Sequence, residues 1–244
     1  MKLIRGIHAA YAILAFALLF ALFFPLLMIP VLFPSQHQWV GRANRWWAAS
    51  FLTLIFIPFK NEVRFKREKG KRYVFCPNHA SYLDIPAMGL NPFNSIFVGK
   101  NDMEKIPLFG FMYKRLHITV DRNSLKSRYS TFVKGGEAID QGKNLVIFPE
   151  GGILTKEPPS MTRFKDGAFR IAIDKQIDII PVTIPFNWII LPEHTLLPWR
   201  HLMKIIYHEP ISTEGLTIDD LPMLKQKTYD IISAELNKQL HEYR

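Results

Sequence analysis

The sequence predicts an α/β fold, a mixed sheet flanked by helices, behind an N-terminal apolar segment that anchors the chain in a membrane. Two observations predict it. From Lys60 onward, short runs of β-branched and aromatic residues alternate with stretches of helical period. Ahead of that point, no Lys, Arg, Asp or Glu occurs between Arg5 and Arg42. The run AAYAILAFALLFALFFPLLMIPVLF within this gap is long enough to cross a hydrocarbon core of about 30 Å. The boundary falls at about Phe59, with residues 1–59 as the anchor and residues 60–244 as one further domain.

The anchor is read first. A second apolar stretch, WWAASFLTLIFIPF from Trp46, is shorter than a comfortable span, and its paired tryptophans suit a membrane interface. A cleaved signal peptide fits poorly, because the apolar core is too long and no small-residue cleavage site follows. A single crossing would put the basic N-terminus (Lys2, Arg5) opposite the basic stretch from Lys60 to Arg72. The excess of positive charge on cytoplasmic segments instead favours a hairpin, or a helix pair embedded in one leaflet, with both ends cytoplasmic. The competing reading is a core hairpin of a soluble protein.

The domain that follows is then taken in chain order. NEVRFK and RYVFCP flank REKGK and read as a hairpin turning at Gly70. Further strands are SIFVG, HITVD, NLVIF, DIIPVTIP and KIIYHE. Helices are predicted after Ser81, around Pro107–Leu116, from Leu125 to Ile139, from Lys165 to Lys175, and from Leu221 to the C-terminus. The basic cluster from Lys60 to Arg72 reads either as a site for anionic lipid headgroups or as a solvated hairpin surface.

Composition narrows the partners. The net charge of +10 favours acidic ones: nucleic acid, an anionic membrane, or phosphate-bearing substrates. No nucleic-acid recognition motif is present, which sets nucleic acid aside. The single cysteine, Cys76, lies in an apolar run and forbids an intrachain disulfide. There is no G-x-S-x-G elbow, no phosphate-binding G-x-x-x-x-G-K-[ST] loop, no H-E-x-x-H and no paired zinc-ligand spacing.

The stretch NHASYLD, Asn78 to Asp84, holds a histidine and an aspartate five residues on. On a regular helix these side chains would point about 140° apart. With His79 in the turn before a helix and Asp84 in its first turn, they meet. Asp84 could then fix the imidazole tautomer, and the other ring nitrogen could take a proton from a hydroxyl. The plainer reading is that Ser81-Tyr82-Leu83-Asp84 is only a capping box.

Four ordered blocks carry a resemblance over roughly Phe65 to Ile184. NHASYLD, HITVDR, VIFPEGG and IIPVTI, with VGKNDMEKIPLFG between the first two, resemble the glycerolipid acyltransferases. The central members of that family are the 1-acylglycerol-3-phosphate (lysophosphatidate) acyltransferases, and bacterial members carry an N-terminal apolar anchor. The resemblance makes residues 60–244 the catalytic domain. It implies His79 as the base that deprotonates the acceptor hydroxyl and Asp84 as its partner, without a covalent acyl-enzyme. It implies Arg122 on the acceptor's phosphate, helped by Lys100, with Glu150 and Gly151 shaping the acceptor site. Near Pro181 it implies an apolar wall for acyl chain. Gly151 and Gly152 would also let backbone N–H groups approach an anion.

One departure stands out. The family's third block usually continues F-P-E-G-T-R, whereas Gly152 and Ile153 stand here in place of Thr and Arg. Lys156, Arg163 and Lys165 are cations that could take over in space. The expected reaction is acyl transfer from acyl-CoA or an acyl carrier protein to lysophosphatidate. The same chemistry on another lysolipid, such as an acylated amino acid lipid, is the alternative, and a non-catalytic lipid-binding protein is the third. No metal or organic cofactor is implied, because the thioester donor is already activated. Membrane lipids, the lysophospholipid and the acyl donor are the expected partners. The expected place is a bacterial-type inner membrane, with the catalytic domain on the cytoplasmic side.

Overall fold

The computed structural model describes residues 2–243 apart from 122, 194 and 196. The chain begins with α1 (Lys2–Leu32), α2 (Gln38–Leu54), β1 (Phe59–Val63), β2 (Tyr73–Pro77) and α3 (Asp84–Gly89). It continues with β3 (Ser95–Lys100), α4 (Phe109–Leu116), β4 (Ile118–Val120), α5 (Leu125–Asp140) and β5 (Asn144–Ile147). It ends with α6 (Gly167–Asp174), β6 (Asp178–Thr183), α7 (Asn187–Ile190), β7 (Met203–Tyr207) and α8 (Leu221–Tyr243).

The strands form one seven-stranded sheet in the order β1-β7-β6-β2-β5-β3-β4. From β6 to β4 all neighbours are parallel, while β7 runs antiparallel to β6 and β1 parallel to β7. The sheet is therefore mixed, and helices cover both faces. Along β2, Tyr73 and Phe75 join a core with α3 and parts of α1 and α2, whereas Val74 and Cys76 join one with α5, α6 and α8. Burial pushes the Cys76 thiol well above its ordinary pKa.

The expected hairpin at Gly70 is not formed. β1 pairs with β7, from Phe59↔Met203 to Val63↔Tyr207, while β2 lies between β6 and β5. The burial patterns explain the difference. All five residues of β2 are buried, as in a parallel strand covered on both faces. β1 leaves Lys60, Asn61 and Val63 exposed, which suits an edge. The guanidinium of Arg64, just past β1, grips Glu235 of α8 through contacts of 2.6 and 3.0 Å. Such a charge-assisted fork holds the edge strand against the last helix.

The N-terminal helices pack together, with Phe16 edge-on to Trp47 and Phe51 at ring separations of 5.1 and 5.7 Å. Ala15, Leu19 and Leu27 of α1 turn inward, while Leu14, Leu18 and Leu22 stay exposed. By length and composition, Leu3–Leu32 is sufficient to cross a membrane. The second helix begins at Gln38, well before the apolar stretch at Trp46. It is tied to the sheet domain: Asn94 Oδ1 accepts from Gly41 N–H at 2.8 Å, and Arg45 donates to the carbonyls of Asn91 and Pro92.

Candidate active site

The carboxyl ends of the parallel strands share one edge of the sheet, the usual place for a ligand in an open α/β sheet. The loop after β2 carries His79 and the loop after β5 carries Glu150, and these two strands are neighbours. Asn78 fixes where β2 leaves the sheet. Its side-chain oxygen accepts from Ile184 N–H at 2.7 Å and its amide donates to Ile184 O at 3.1 Å, locking the exits of β2 and β6 together.

His79 lies in the turn and Asp84 is the first residue of α3, so the two side chains meet as the spacing required. The distance from Nδ1 to Asp84 Oδ2 is 2.9 Å. The same oxygen accepts the N–H groups of Ala80 and Ser81 at 2.7 and 2.8 Å. The other carboxylate oxygen accepts from Asn187 Nδ2 at 2.9 Å. A carboxylate held by so many donors accepts a hydrogen bond from Nδ1–H and leaves Nε2 as the basic nitrogen. Among the described residues no hydrogen bond reaches Nε2 of His79, and its side chain is 11% exposed, so Nε2 can meet a substrate. Phe148 stacks on the imidazole at 4.2 Å and limits its rotation.

The capping reading is also partly realised. Asp84 supplies one half of the box by accepting Ser81 N–H, but Ser81 Oγ accepts from Leu83 N–H and donates to Leu191 O. Asp84 therefore starts the helix and orients the histidine with the same oxygen. Ser81 is fully buried and Cys76 is buried with its thiol held protonated, so neither presents a nucleophile.

Glu150 is also buried. One oxygen accepts His79 N–H at 2.7 Å, and the other accepts Thr162 N–H and Oγ1–H at 2.8 and 3.1 Å. Desolvation pushes its carboxyl pKa up, against the lowering effect of these donors. The glutamate thus braces the histidine loop against the segment leading to α6. Gly151 has φ +78°, a conformation open chiefly to glycine. Its N–H donates to Phe148 O at 3.0 Å, so that amide closes the turn and does not point at a ligand.

The remaining predicted residues fall elsewhere. Lys100 ends β3, is exposed, and pairs with Asp102. Arg122 lies outside the described residues. Pro181 is buried inside β6, where its carbonyl accepts His208 N–H. Sequence reasoning missed Asn187 and Thr162. Both lie far along the chain from the motifs they support, and no local pattern marks them.

A cleft of about 1250 Å3 opens between α5 and α6; Phe148, which stacks on His79, lines it, while His79 itself does not. The inner wall of the cleft is apolar, with Val98, Val120, Phe132, Ile147, Phe148 and Ile171, and its charged lining holds Arg128, Arg163, Lys165, Arg170 and Lys225 against Asp166 and Asp174. The described residues contain no group of three or more His, Cys, Asp or Glu placed to hold a metal ion.

Known proteins share sequence and fold with this chain. Residues 59–185 match the family model described as Acyltransferase. The 1-acyl-sn-glycerol-3-phosphate acyltransferase of Saccharomyces cerevisiae is 31% identical over 164 residues, which cover 66% of this chain and 54% of that protein. The lyso-ornithine lipid O-acyltransferase of Pseudomonas aeruginosa is 30% identical over 149 residues, covering 60% of this chain and 54% of that one. The chain thus spans about half the length of these curated relatives. The crystal structure of the 1-acyl-sn-glycerophosphate acyltransferase from Thermotoga maritima superposes with a TM-score of 0.77, covering 96% of this chain and 97% of that one at 18% identity. That likeness is one of fold.

Proposed function

The chain belongs to the acyltransferase family, and we propose that it is a membrane-bound O-acyltransferase that moves a fatty acyl group from an acyl thioester to the hydroxyl of 1-acylglycerol-3-phosphate, giving phosphatidate. The observation that carries this reading is the His79–Asp84 pair, with Nδ1 fixed at 2.9 Å from a carboxylate whose two oxygens are both engaged and the imidazole stacked on Phe148, a residue of the cleft wall. In the proposed reaction Nε2 takes the proton as the acceptor oxygen attacks the thioester carbonyl. The imidazolium is stabilised by Asp84. Collapse of the tetrahedral intermediate breaks the carbon–sulfur bond, and the leaving thiolate takes the proton back. The apolar cleft wall suits an acyl chain and the cations of its lining suit phosphate. Arg122 and Lys100 belong to this reading as phosphate contacts.

The donor is acyl-CoA or an acyl carrier protein, and the reaction needs no metal or organic cofactor. Residues 1–59 seat the enzyme in the membrane through the apolar face of α1, with residues 60–244 as the catalytic part on the cytoplasmic side. A second acceptor, a lyso-ornithine lipid, is favoured by Gly152 and Ile153 in place of the usual Thr-Arg and by the name of the Pseudomonas relative. The test is acyl transfer by purified protein in lipid, comparing lysophosphatidate, lyso-ornithine lipid and monoacylglycerol, with wild type and His79→Ala. Transfer to lysophosphatidate that depends on His79 is the expected result. Undiminished transfer by His79→Ala would remove the mechanism, and transfer only to lyso-ornithine lipid would replace the acceptor.

A further inference from the structure

We propose that Lys165 reads the phosphate of the acceptor, an inference that rests on the lysophosphatidate reading above. The backbone N–H of Lys165 donates to Pro149 O at 2.8 Å, which pins the residue beside the turn that follows β5. Its stem then crosses that turn. A Cβ on Gly151 would lie 2.7 Å from Lys165 Nζ and 2.9 Å from Cδ and Cε, so the glycine is the surface on which the side chain rests. The residue before Gly151 is Glu150, which holds the His79 backbone, and Phe148 in the same turn stacks on the imidazole. The ammonium is therefore placed on the loop that positions the base, in the lining of the apolar cleft.

The surrounding charges leave it available. Among the described residues no carboxylate pairs with Lys165, and its side chain is exposed. The nearest acidic residue along the chain, Asp166, is engaged by Lys225 at 2.6 Å. Arg163 also lines the cleft, but among the described residues no hydrogen bond or ion pair fixes it to the turn. A cation on a flexible stem, held by its backbone, suits a phosphate monoester as a point-charge partner. It stands on the loop where Gly152 and Ile153 leave no cationic side chain.

The donor also carries phosphate, so the test separates the two sources. Wild type, Lys165→Met and Lys165→Arg are compared in lipid nanodiscs by equilibrium binding of radiolabelled lysophosphatidate and by steady-state kinetics with lysophosphatidate and with monoacylglycerol. Lys165→Met should weaken lysophosphatidate binding and raise its KM about tenfold or more, with a smaller change in kcat. Monoacylglycerol transfer and the donor KM should stay within twofold, and Lys165→Arg should recover most of the loss. Lysophosphatidate binding within twofold of wild type would overturn the proposal. So would an equal loss with monoacylglycerol, or a loss confined to the donor KM. Wild type that binds lysophosphatidate through Lys165 without acylating it would support this inference and refute the proposed reaction. Wild type that does not bind it at all would overturn both.

Discussion

Replacing Asp84 by Asn separates the two tasks that one oxygen performs. In the wild type, Oδ2 stands 2.9 Å from His79 Nδ1 and also accepts two backbone N–H groups. The asparagine oxygen is held in that position because three donors require an acceptor there. Its NH2 group then faces Asn187, whose own buried side-chain oxygen has no partner among the described residues. A flip of Asn187 turns that oxygen toward the new NH2, so the helix start and the histidine tautomer survive. What disappears is the negative charge opposite the imidazolium. With charge centres about 4 Å apart and an effective dielectric of about 20, that attraction amounts to roughly 4 kcal/mol. The remaining neutral hydrogen bond retains about 1 kcal/mol. A net loss of about 3 kcal/mol corresponds to a fall in kcat of roughly a hundredfold. The assay is thiol release from acyl-CoA in the presence of lysophosphatidate, with thermal unfolding of the same preparations to show that the variant is folded. A folded Asp84→Asn enzyme with kcat within threefold of wild type would reduce Asp84 to a capping residue.

Other changes have equally definite outcomes. His79→Ala should lower kcat at least a thousandfold while shifting the unfolding temperature by only a few degrees, as measured by the same two assays. Asn187→Leu leaves one carboxylate oxygen of a buried aspartate without its donor; a loss of about 1–3 kcal/mol in stability and a several-fold lower kcat are expected, and denaturant unfolding checks the first. Gly151→Ala forces a side chain into φ +78° against the Lys165 stem, so the acceptor KM should rise more than the donor KM in steady-state kinetics. His117 accepts Phe97 N–H as the neutral imidazole, and burial pushes its pKa down to about 3. Its unfolded value is near 6.5, so its stabilising effect is complete above about pH 6.5 and is lost as pH falls toward 3, at about 1.4 kcal/mol per pH unit. Thermal unfolding of His117→Asn, which keeps an acceptor for that N–H, should show a flatter acid slope than wild type. An unchanged slope would reject the assignment.

The alternation of strands and helices was readable because each buried strand is a short apolar run and each surface helix keeps its period. The order of the strands was not. NEVRFK and RYVFCP lie side by side in sequence with a glycine turn between them, yet one is an edge and the other a centre. Their compositions hold that difference, since polar residues fill β1 and none occurs in β2 until the chain leaves the sheet. The His79–Asp84 contact was legible because both residues sit in one turn. Its support was not, because Asn187 at the start of α7 and Thr162 in the connection from β5 to α6 are brought there through the topology alone. Lys165 could be named as a cation from the sequence, but only the fold lays it across Gly151.

The pairing of β1 with β7 also sets an order of assembly. A ribosome releases β1 early and β7 only after nearly the whole sheet has emerged. Until then β6 is itself a bare edge, and β1 has no strand to join. Closing a contact of such long range is slow, and an unpaired apolar edge invites association with other nascent chains. The lysine, asparagine and glutamate of β1 keep the waiting strand hydrated during that interval. α8, which follows β7 in the chain, then fastens it through Glu235 and Arg64. Loss of α8 should therefore show first as a defect in yield during synthesis, before any defect in catalysis could be measured.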